Sequence, residues 1–337
     1  MKLQINELTR IYVVCPANNK TGGTELLHQL VFQLNELTGG HDKAVLAYYL
    51  EGKCNRNDPT PDEFKQYIQH KCFVNEIVDN SANVLILPEI CVGKHKKFKY
   101  IQKMIWWLSV DNYYVMSGKW NRLKRWGILS FLKHLVLNDY ASEKDLYKIP
   151  HHMVQSYFAK DFFMRKGISE NRIIYLSDYI NDIYISGEQM DEKLDIVIYN
   201  PQKGYEYTKI LMETAPDIQW IPIQNMTNEE VFHLMHKAKV YIDFGNHPGK
   251  DRIPREAAVS GCCIITNKNG SAAFWQDVPI PEKYKYGDDS TPEKIIEAIR
   301  KCINNYDEEI VEFHKYCDFI KSEKTKFIED IKNIFAV

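Results

Sequence analysis

The stretch Tyr241-Ile-Asp-Phe-Gly-Asn-His-Pro-Gly-Lys-Asp-Arg-Ile-Pro-Arg-Glu-Ala-Ala-Val-Ser-Gly-Cys-Cys-Ile-Ile-Thr266 decides how this chain is read. It starts as a short apolar strand, passes through a polar loop and a short helix, and ends in a second apolar strand. The helix is expected to open at Pro254, because a first-turn residue has no use for the N–H that proline lacks. The loop before it carries Lys250 and Arg252. A glycine- and cation-bearing loop that opens a helix is suited to hold a phosphate, since the first amides point outward and the helix dipole favours an anion there. The stretch therefore predicts a nucleotide or nucleotide-sugar site.

The same pattern of strand, loop and helix extends in both directions. In the first half, Ile11-Tyr-Val-Val-Cys15 reads as a buried strand and Glu25 to Leu37 as a helix. Further strands are expected at 43–50, 82–88, 103–110, Val136-Leu137 and 152–155. The pattern restarts with the strand Leu194-Asp-Ile-Val-Ile-Tyr199. A helix is then expected near 205–214, a strand at 218–223, a helix at 228–237 capped by Thr227 or Asn228, and a strand at 240–244. Residues 290–304 and 307–335 read as closing helices. This alternation predicts an α/β protein of two Rossmann-like, doubly wound domains facing a cleft. The expected limits are 1–186, 187–315 and a C-terminal helix, 316–337, packing back toward the first domain.

Bulk properties agree with a globular two-domain chain. The sequence has 337 residues, 45% hydrophobic and 26% charged, with a formal net charge of -2. That charge does not suit a nucleic-acid binder. Eight cysteines occur, none in a Cys-x-x-Cys pair, and they read as reduced core residues. Met1-Lys-Leu-Gln-Ile-Asn-Glu7 lacks the apolar run of a signal peptide, and no run approaches the ~18 residues of a membrane span. The expected localisation is cytoplasmic, with the inner face of the membrane as a place of contact.

Ligands of doubly wound sheets bind beyond the carboxyl ends of the strands. Three loops there have suitable chemistry. Thr21-Gly-Gly-Thr-Glu25 offers Gly22 and Gly23 for close backbone approach, or is a plain strand–helix turn; it is not a dinucleotide fingerprint. Asn200-Pro-Gln-Lys-Gly204 directs Lys203 toward a phosphate, or leaves it as an exposed turn lysine. The third loop adds Lys250, Arg252 and Glu256. Glu256 either favours the helix dipole or contacts ligand, and Arg252 is able to grip a phosphate bidentately.

Taken together, these loops resemble the donor domain of GT-B glycosyltransferases, in particular the large retaining family that builds bacterial polysaccharides and lipopolysaccharides. The resemblance rests on Lys203-Gly204, Asn228-Glu-Glu-Val-Phe232, Asp243-Phe-Gly245 and Glu256-Ala-Ala-Val-Ser-Gly-Cys-Cys-Ile-Ile265, with Gly22-Gly-Thr-Glu25 in the first half. It implies that Lys203 binds the donor diphosphate and Glu256 the ribose. It also implies that amides near Ala257 cap a phosphate, Gln224 and Asn225 border the base, and Gly22 and Gly23 lie near the sugar. Two family positions differ: Pro248 stands where a glutamate is usual, and Ile198 where an arginine is usual. Lys250 or Arg252 is a source of the missing positive charge. The motifs Asn-Pro-x-Lys-Gly and His-Pro-Gly-Lys-Asp-Arg-x-Pro-Arg-Glu mark a divergent subgroup, with Asn200, Gly204, His247 and Gly249 among the ligand-contact candidates.

The expected function is transfer of a sugar from a nucleotide-sugar donor to a glycan or lipid-linked acceptor in surface polysaccharide synthesis. The alternatives are a nucleotide-sugar epimerase or phosphorylase on the same scaffold, or a non-catalytic nucleotide- or carbohydrate-binding protein. No cofactor and no metal are expected, because Asp-x-Asp is absent and cations with helix amides would stabilise the leaving diphosphate. The catalytic candidates are Lys203, Gly23 and Asp111, the last either a general base or a turn cap, with Glu89 a similar candidate. Two segments mixing cations with aromatics, Lys94–Tyr100 and Lys119–Lys133, suit either an anionic membrane surface or a solvated basic face.

Overall fold

The computed structural model describes residues 3–40, 42–50, 57–68, 70–117, 123–124, 127–129, 131–132, 135–136, 141–186 and 192–337. The chain divides into two compact units. The first comprises Met1–Gln155, Ala159–Asp178 and Thr325–Val337; the second comprises Ser156–Phe158 and Tyr179–Lys324.

The first unit is built on a seven-stranded parallel sheet. Its strands are β1 (Ile11–Pro16), β2 (Ala44–Tyr49), β3 (Lys71–Phe73), β4 (Val84–Pro88), β5 (Gln102–Trp107), β6 (His151–Val154) and β7 (Ile173–Tyr175), in the order β3-β2-β1-β4-β5-β6-β7. The order reverses between β1 and β4, which makes their carboxyl ends the topological switch point. Tyr12, Val14, Val45, Ala47, Leu85 and Leu87 alternate along three central strands and form one buried face. Burial of both faces explains why these strands read as apolar runs rather than alternating ones. Helix α1 (Gly22–Leu37) packs on β1 and β2 through Leu26, Leu27, Leu30, Val31 and Leu34. Each such buried aliphatic side chain contributes roughly 1.5–3 kcal/mol. Helix α2 (Val110–Ser117) follows β5.

The helix α1 begins three residues before the expected start. Thr21 and Thr24 form a reciprocal capping box, so Gly22 and Gly23 occupy the first turn rather than a free loop. The expected strand at Val136-Leu137 is not found: Val136 lies in helical backbone, and Leu137 is outside the described residues. At the C-terminus, the Phe327 ring stacks on Trp106 with centroids 6.4 Å apart.

The second unit holds a five-stranded parallel sheet of β8 (Leu194–Tyr199), β9 (Gln219–Pro222), β10 (Ala238–Asp243), β11 (Cys263–Asn267) and β12 (Lys285–Tyr286), in the order β12-β11-β10-β8-β9. Its switch point lies between β8 and β10, because β9 flanks β8 on one side and β10 on the other. The longer helices are α3 (Tyr205–Thr214), α4 (Asn228–Lys237), α5 (Arg252–Val259), α6 (Pro292–Asn304) and α7 (His314–Phe335), the last belonging to this unit as far as Lys324. Thr227 caps α4 by accepting from the Glu230 amide, as its sequence predicts. Helix α5 opens at Arg252 with Asp251 at its N-cap, two residues before the expected start. Pro254 is still accommodated, since amides throughout the first turn lack intrahelical acceptors. The tail expected as one helix is broken by a 3₁₀ turn over Ile310–Phe313.

Candidate functional site

The switch point of the second sheet brings the loops after β8 and β10 together. Two glycines make this possible. Gly204 has φ +61°, and a Cβ there would lie 2.4 Å from the Phe244 carbonyl; a Cβ on Gly245 would lie 2.6 Å from Lys203 Cβ. The first loop is shaped locally by Asn200, whose Oδ1 accepts from the Gln202 amide at 3.0 Å. That turn delivers Lys203, whose ammonium lies 2.8 Å from Asp251 Oδ2.

Asp251 also meets His247, with Nδ1 and Oδ2 2.9 Å apart. The other ring nitrogen, Nε2, faces Thr266 Oγ1 at 3.1 Å and Asp243 Oδ1 at 3.7 Å. The Thr266 hydroxyl donates to the Asp243 carbonyl at 2.9 Å, so toward His247 it must accept. Both ring nitrogens then act as donors, which defines an imidazolium. Burial alone would lower the His247 pKa, but the Asp251 hydrogen bond and the Asp243 and Asp251 charges outweigh it and raise the pKa above the ordinary histidine value. Burial would likewise raise Asp251, yet His247 and Lys203 hold it below the usual carboxylate range. Asp243 is anchored in turn by the Tyr241 hydroxyl and the Gly245 amide, both at 3.0 Å.

Among the described residues, Asp243, His247 and Asp251 form a group with the spacing of metal ligands. In this structure the same atoms contact one another and Lys203. His247 spends both nitrogens on acceptors, and Lys203 supplies a positive charge to the Asp251 oxygen. The arrangement is a chain of alternating charge, Asp243–His247–Asp251–Lys203, ending at a cation that is about one-third exposed.

Other expected contacts are placed differently. Asp251 makes no side-chain cap to α5, because its carboxylate is turned to His247 and Lys203. With α5 starting at Arg252, Glu256 falls in the second turn, not the first, which weakens its dipole role. It is half-buried, and together with burial, the larger cause, its charge raises the Tyr184 hydroxyl pKa. The open amides of α5 lie near Arg252 and Ile253; the Ala257 amide is inside the hydrogen-bonded part of the helix. Lys250 is buried and paired with Glu323 at 2.6 Å, so its ammonium does not face the Lys203 cluster through solvent. Gly249 is buried, its carbonyl accepting from Ser271 Oγ at 2.6 Å. Arg252 is half-buried at the start of α5. Gln224 and Asn225 are exposed beyond β9, with Asn225 at φ +54°. Asp243 and Asp251 stand inside the quoted motifs but are not among the candidate site residues read from the sequence. A signal for their joint role is the i, i+4 spacing on either side of His247.

In the first unit, Glu89 follows β4 at the switch point and is 3% exposed. Its Oε2 accepts from the Leu108 amide at 3.1 Å, and its Oε1 lies 3.5 Å from Asn112 Nδ2. Burial pushes its pKa from 4.5 up to about 7, against those hydrogen bonds. A Cβ on Gly23 would lie 3.3 Å from Leu108 Cδ1, so the first turn of α1 approaches this group closely. Asp111 is half-buried in the first turn of α2, where Ser109 Oγ, not Asp111, accepts from the Asn112 amide at 3.2 Å.

The basic segment Lys94–Tyr100 is partly spent on internal contacts. Lys94 lies 4.4 Å from the Tyr49 ring and Lys96 lies 3.3 Å from Asp145, while Tyr100 is exposed. The segment Lys119–Lys133 falls largely outside the described residues. Among the described residues, no helix is long and apolar enough to cross a membrane.

No family model matches the sequence, and no curated protein matches it. Solved structures do. The lipopolysaccharide outer core galactosyltransferase WaaB is similar at TM-score 0.57 and 12% identity, over 98% of this chain and 99% of that one. HepE of Anabaena, solved in complex with UDP, is similar at TM-score 0.51 and 12% identity, over 97% and 98%. TarM is similar at TM-score 0.53 and 13% identity; 78% of this chain matches, and the match spans 57% of TarM, just over half its length. These likenesses define the class of fold: the chain has the GT-B fold of glycosyltransferases, with its two Rossmann-like α/β parts.

Proposed function

We propose that the protein is a glycosyltransferase that takes its sugar from a nucleoside-diphosphate donor and transfers it to a glycan or lipid-linked acceptor in surface polysaccharide synthesis. The observation that carries this reading is Lys203, delivered by the Gly204–Gly245 contact to the switch point of the second sheet, beside the start of α5. Anions are favoured at such a point by helix amides and by a lysine charge together. HepE, which has this fold, was solved with UDP and with UDP-glucose, and this supports a uridine donor.

In the reading we adopt, the donor diphosphate takes Lys203 from Asp251, and His247 keeps the released carboxylate neutralised. As the bond from sugar to diphosphate breaks, negative charge grows on the leaving oxygen. Lys203 and the α5 amides stabilise that charge without rearrangement. Glu256 receives the ribose hydroxyls, and Gln224 and Asn225 border the base. The chemistry needs no metal, because the cationic role belongs to Lys203. Glu89, alongside Asp111, is the candidate base on the first unit's side: it follows β4 at that sheet's switch point, where ligands of such sheets bind, and its pKa near 7 suits a base at neutral pH.

A thermal-shift screen with UDP, GDP, CMP, dTDP and ADP sugars tests the donor class. One diphosphate nucleotide series is expected to raise Tm by several degrees, since a ligand at about 100 times its Kd adds roughly 2.7 kcal/mol to stability. No shift with any nucleotide at millimolar concentration would refute the reading.

A further inference from the structure

The loop carrying His247 and Asp251 is braced from behind by a buried ion cluster. Lys250, Arg255 and Glu323 are 6%, 1% and 1% exposed. Glu323, on α7, places Oε1 2.6 Å from Lys250 Nζ and Oε2 2.7 Å from Arg255 Nη1. Arg255 turns its other donors to the loop backbone: Nε donates to the Asp251 carbonyl at 3.0 Å and Nη2 to the Lys250 carbonyl at 3.0 Å. The rest of the loop is held independently, the Ser271 amide donating to the His247 carbonyl at 2.8 Å.

A carboxylate buried between two cations is costly to desolvate, and hydrophobic residues of similar volume often stabilise a fold as well. What this cluster contributes is direction. The guanidinium is a rigid planar fork, and here it fixes two consecutive carbonyls, those of the two residues that precede α5. Once the Asp251 backbone is fixed, its carboxylate is aimed at His247 and Lys203. We propose that Glu323 is a positioning residue of the donor site: by holding Arg255 and Lys250 it fixes Asp251, and through Asp251 the lysine that meets the diphosphate. Lys250 accordingly serves as part of the brace and not as a phosphate contact. This proposal rests on the donor-site reading above.

The test uses the full chain and two readouts: UDP affinity by titration calorimetry, and the titration midpoint of the His247 imidazole by NMR without nucleotide. The charged groups facing His247 are Asp243 from β10, Asp251 from its own loop and Lys203 from the loop after β8. Glu323→Gln keeps the shape and removes the charge. Arg255→Lys keeps the pair with Glu323 but loses the fork over two carbonyls. Both are expected to raise the UDP Kd about tenfold, the scale seen when outer supporting groups are removed. Both are also expected to lower the His247 midpoint, because Asp251 is no longer held against the ring. A merely structural brace would change Tm and neither of these. A folded Glu323→Gln protein with wild-type midpoint and Kd overturns the proposal; if that variant does not fold, Arg255→Lys decides it by the same criteria. If the wild type does not bind UDP, the uridine-donor reading fails, while the His247 midpoint still decides the positioning role.

Discussion

Replacing Lys203 by alanine is expected to weaken UDP binding by about 10- to 100-fold, the worth of a hydrogen bond to a charged group at ~1.5–3 kcal/mol. The folded protein should persist, because the ion pair lost is partly exposed and Asp251 retains His247. Turnover should fall further than affinity. The charge on the leaving diphosphate is greatest in the transition state, so a cation held there contributes more to rate than to ground-state binding. Lys203→Arg keeps the charge but moves it, and should restore affinity better than rate. Calorimetry with UDP and a donor-turnover assay separate the two effects. If Lys203→Ala binds UDP within threefold of the wild type, Lys203 is only a turn lysine held by Asp251.

Glu89→Gln carries the second large effect, and its two consequences have opposite sign. The folded-state pKa of Glu89 is raised from 4.5 to about 7 by burial. A raised pKa means that the native state binds the proton more tightly than the unfolded chain. The contribution of Glu89 to stability is therefore fully present below pH 4.5 and is lost as pH rises through about 7. Above that, the native protein carries a buried carboxylate at a cost of up to ~3 kcal/mol. The neutral amide removes this cost but retains one good acceptor where the carboxylate had two. Glu89→Gln is thus expected to be more stable than the wild type at pH 8, by roughly 1–3 kcal/mol, and no more stable at pH 4.5. Its activity is expected to fall by ~10²–10⁴-fold, the usual contribution of a general base. The wild-type rate should rise through pH 7 as the carboxyl ionises, and the variant should lack that rise. Denaturant melts at the two pH values, with a pH–rate profile, check both. A variant stabilised at pH 8 with full activity would leave Glu89 a buried structural acid.

The physical character of each element explains which of them showed in the sequence. The runs Ile11–Cys15, Ile196–Tyr199 and the core of β10 were legible because central strands of a parallel sheet are buried on both faces. β3, β7 and β12 were not: with three, three and two residues, none is long enough to show a period. The start of α5 was misplaced because Pro254 is a good opening residue, while Asp251, its N-cap, was read only as part of a polar loop. That slip moved Glu256 by a turn. Lys203 was legible as a cation of the loop after β8 because a Lys-Gly pair after a strand is a local signal. The partners that orient it were less so. Asp251 and Asp243 act through His247, and Arg255 meets Glu323 from 68 residues away, beyond any local pattern. Lys250 showed the limit most directly: its position in a loop full of cations pointed to phosphate, but its ammonium is committed to a carboxylate on α7.

The carboxyl end of the second sheet is the proposed nucleotide-sugar donor site. The most direct measurement is the crystal structure of the protein grown with UDP. The diphosphate is expected within hydrogen-bond distance of Lys203 Nζ and the first amides of α5, with the ribose beside Glu256 and Asp251 released from the lysine. UDP bound elsewhere, or Lys203 still paired with Asp251 in a nucleotide-loaded crystal, would contradict it.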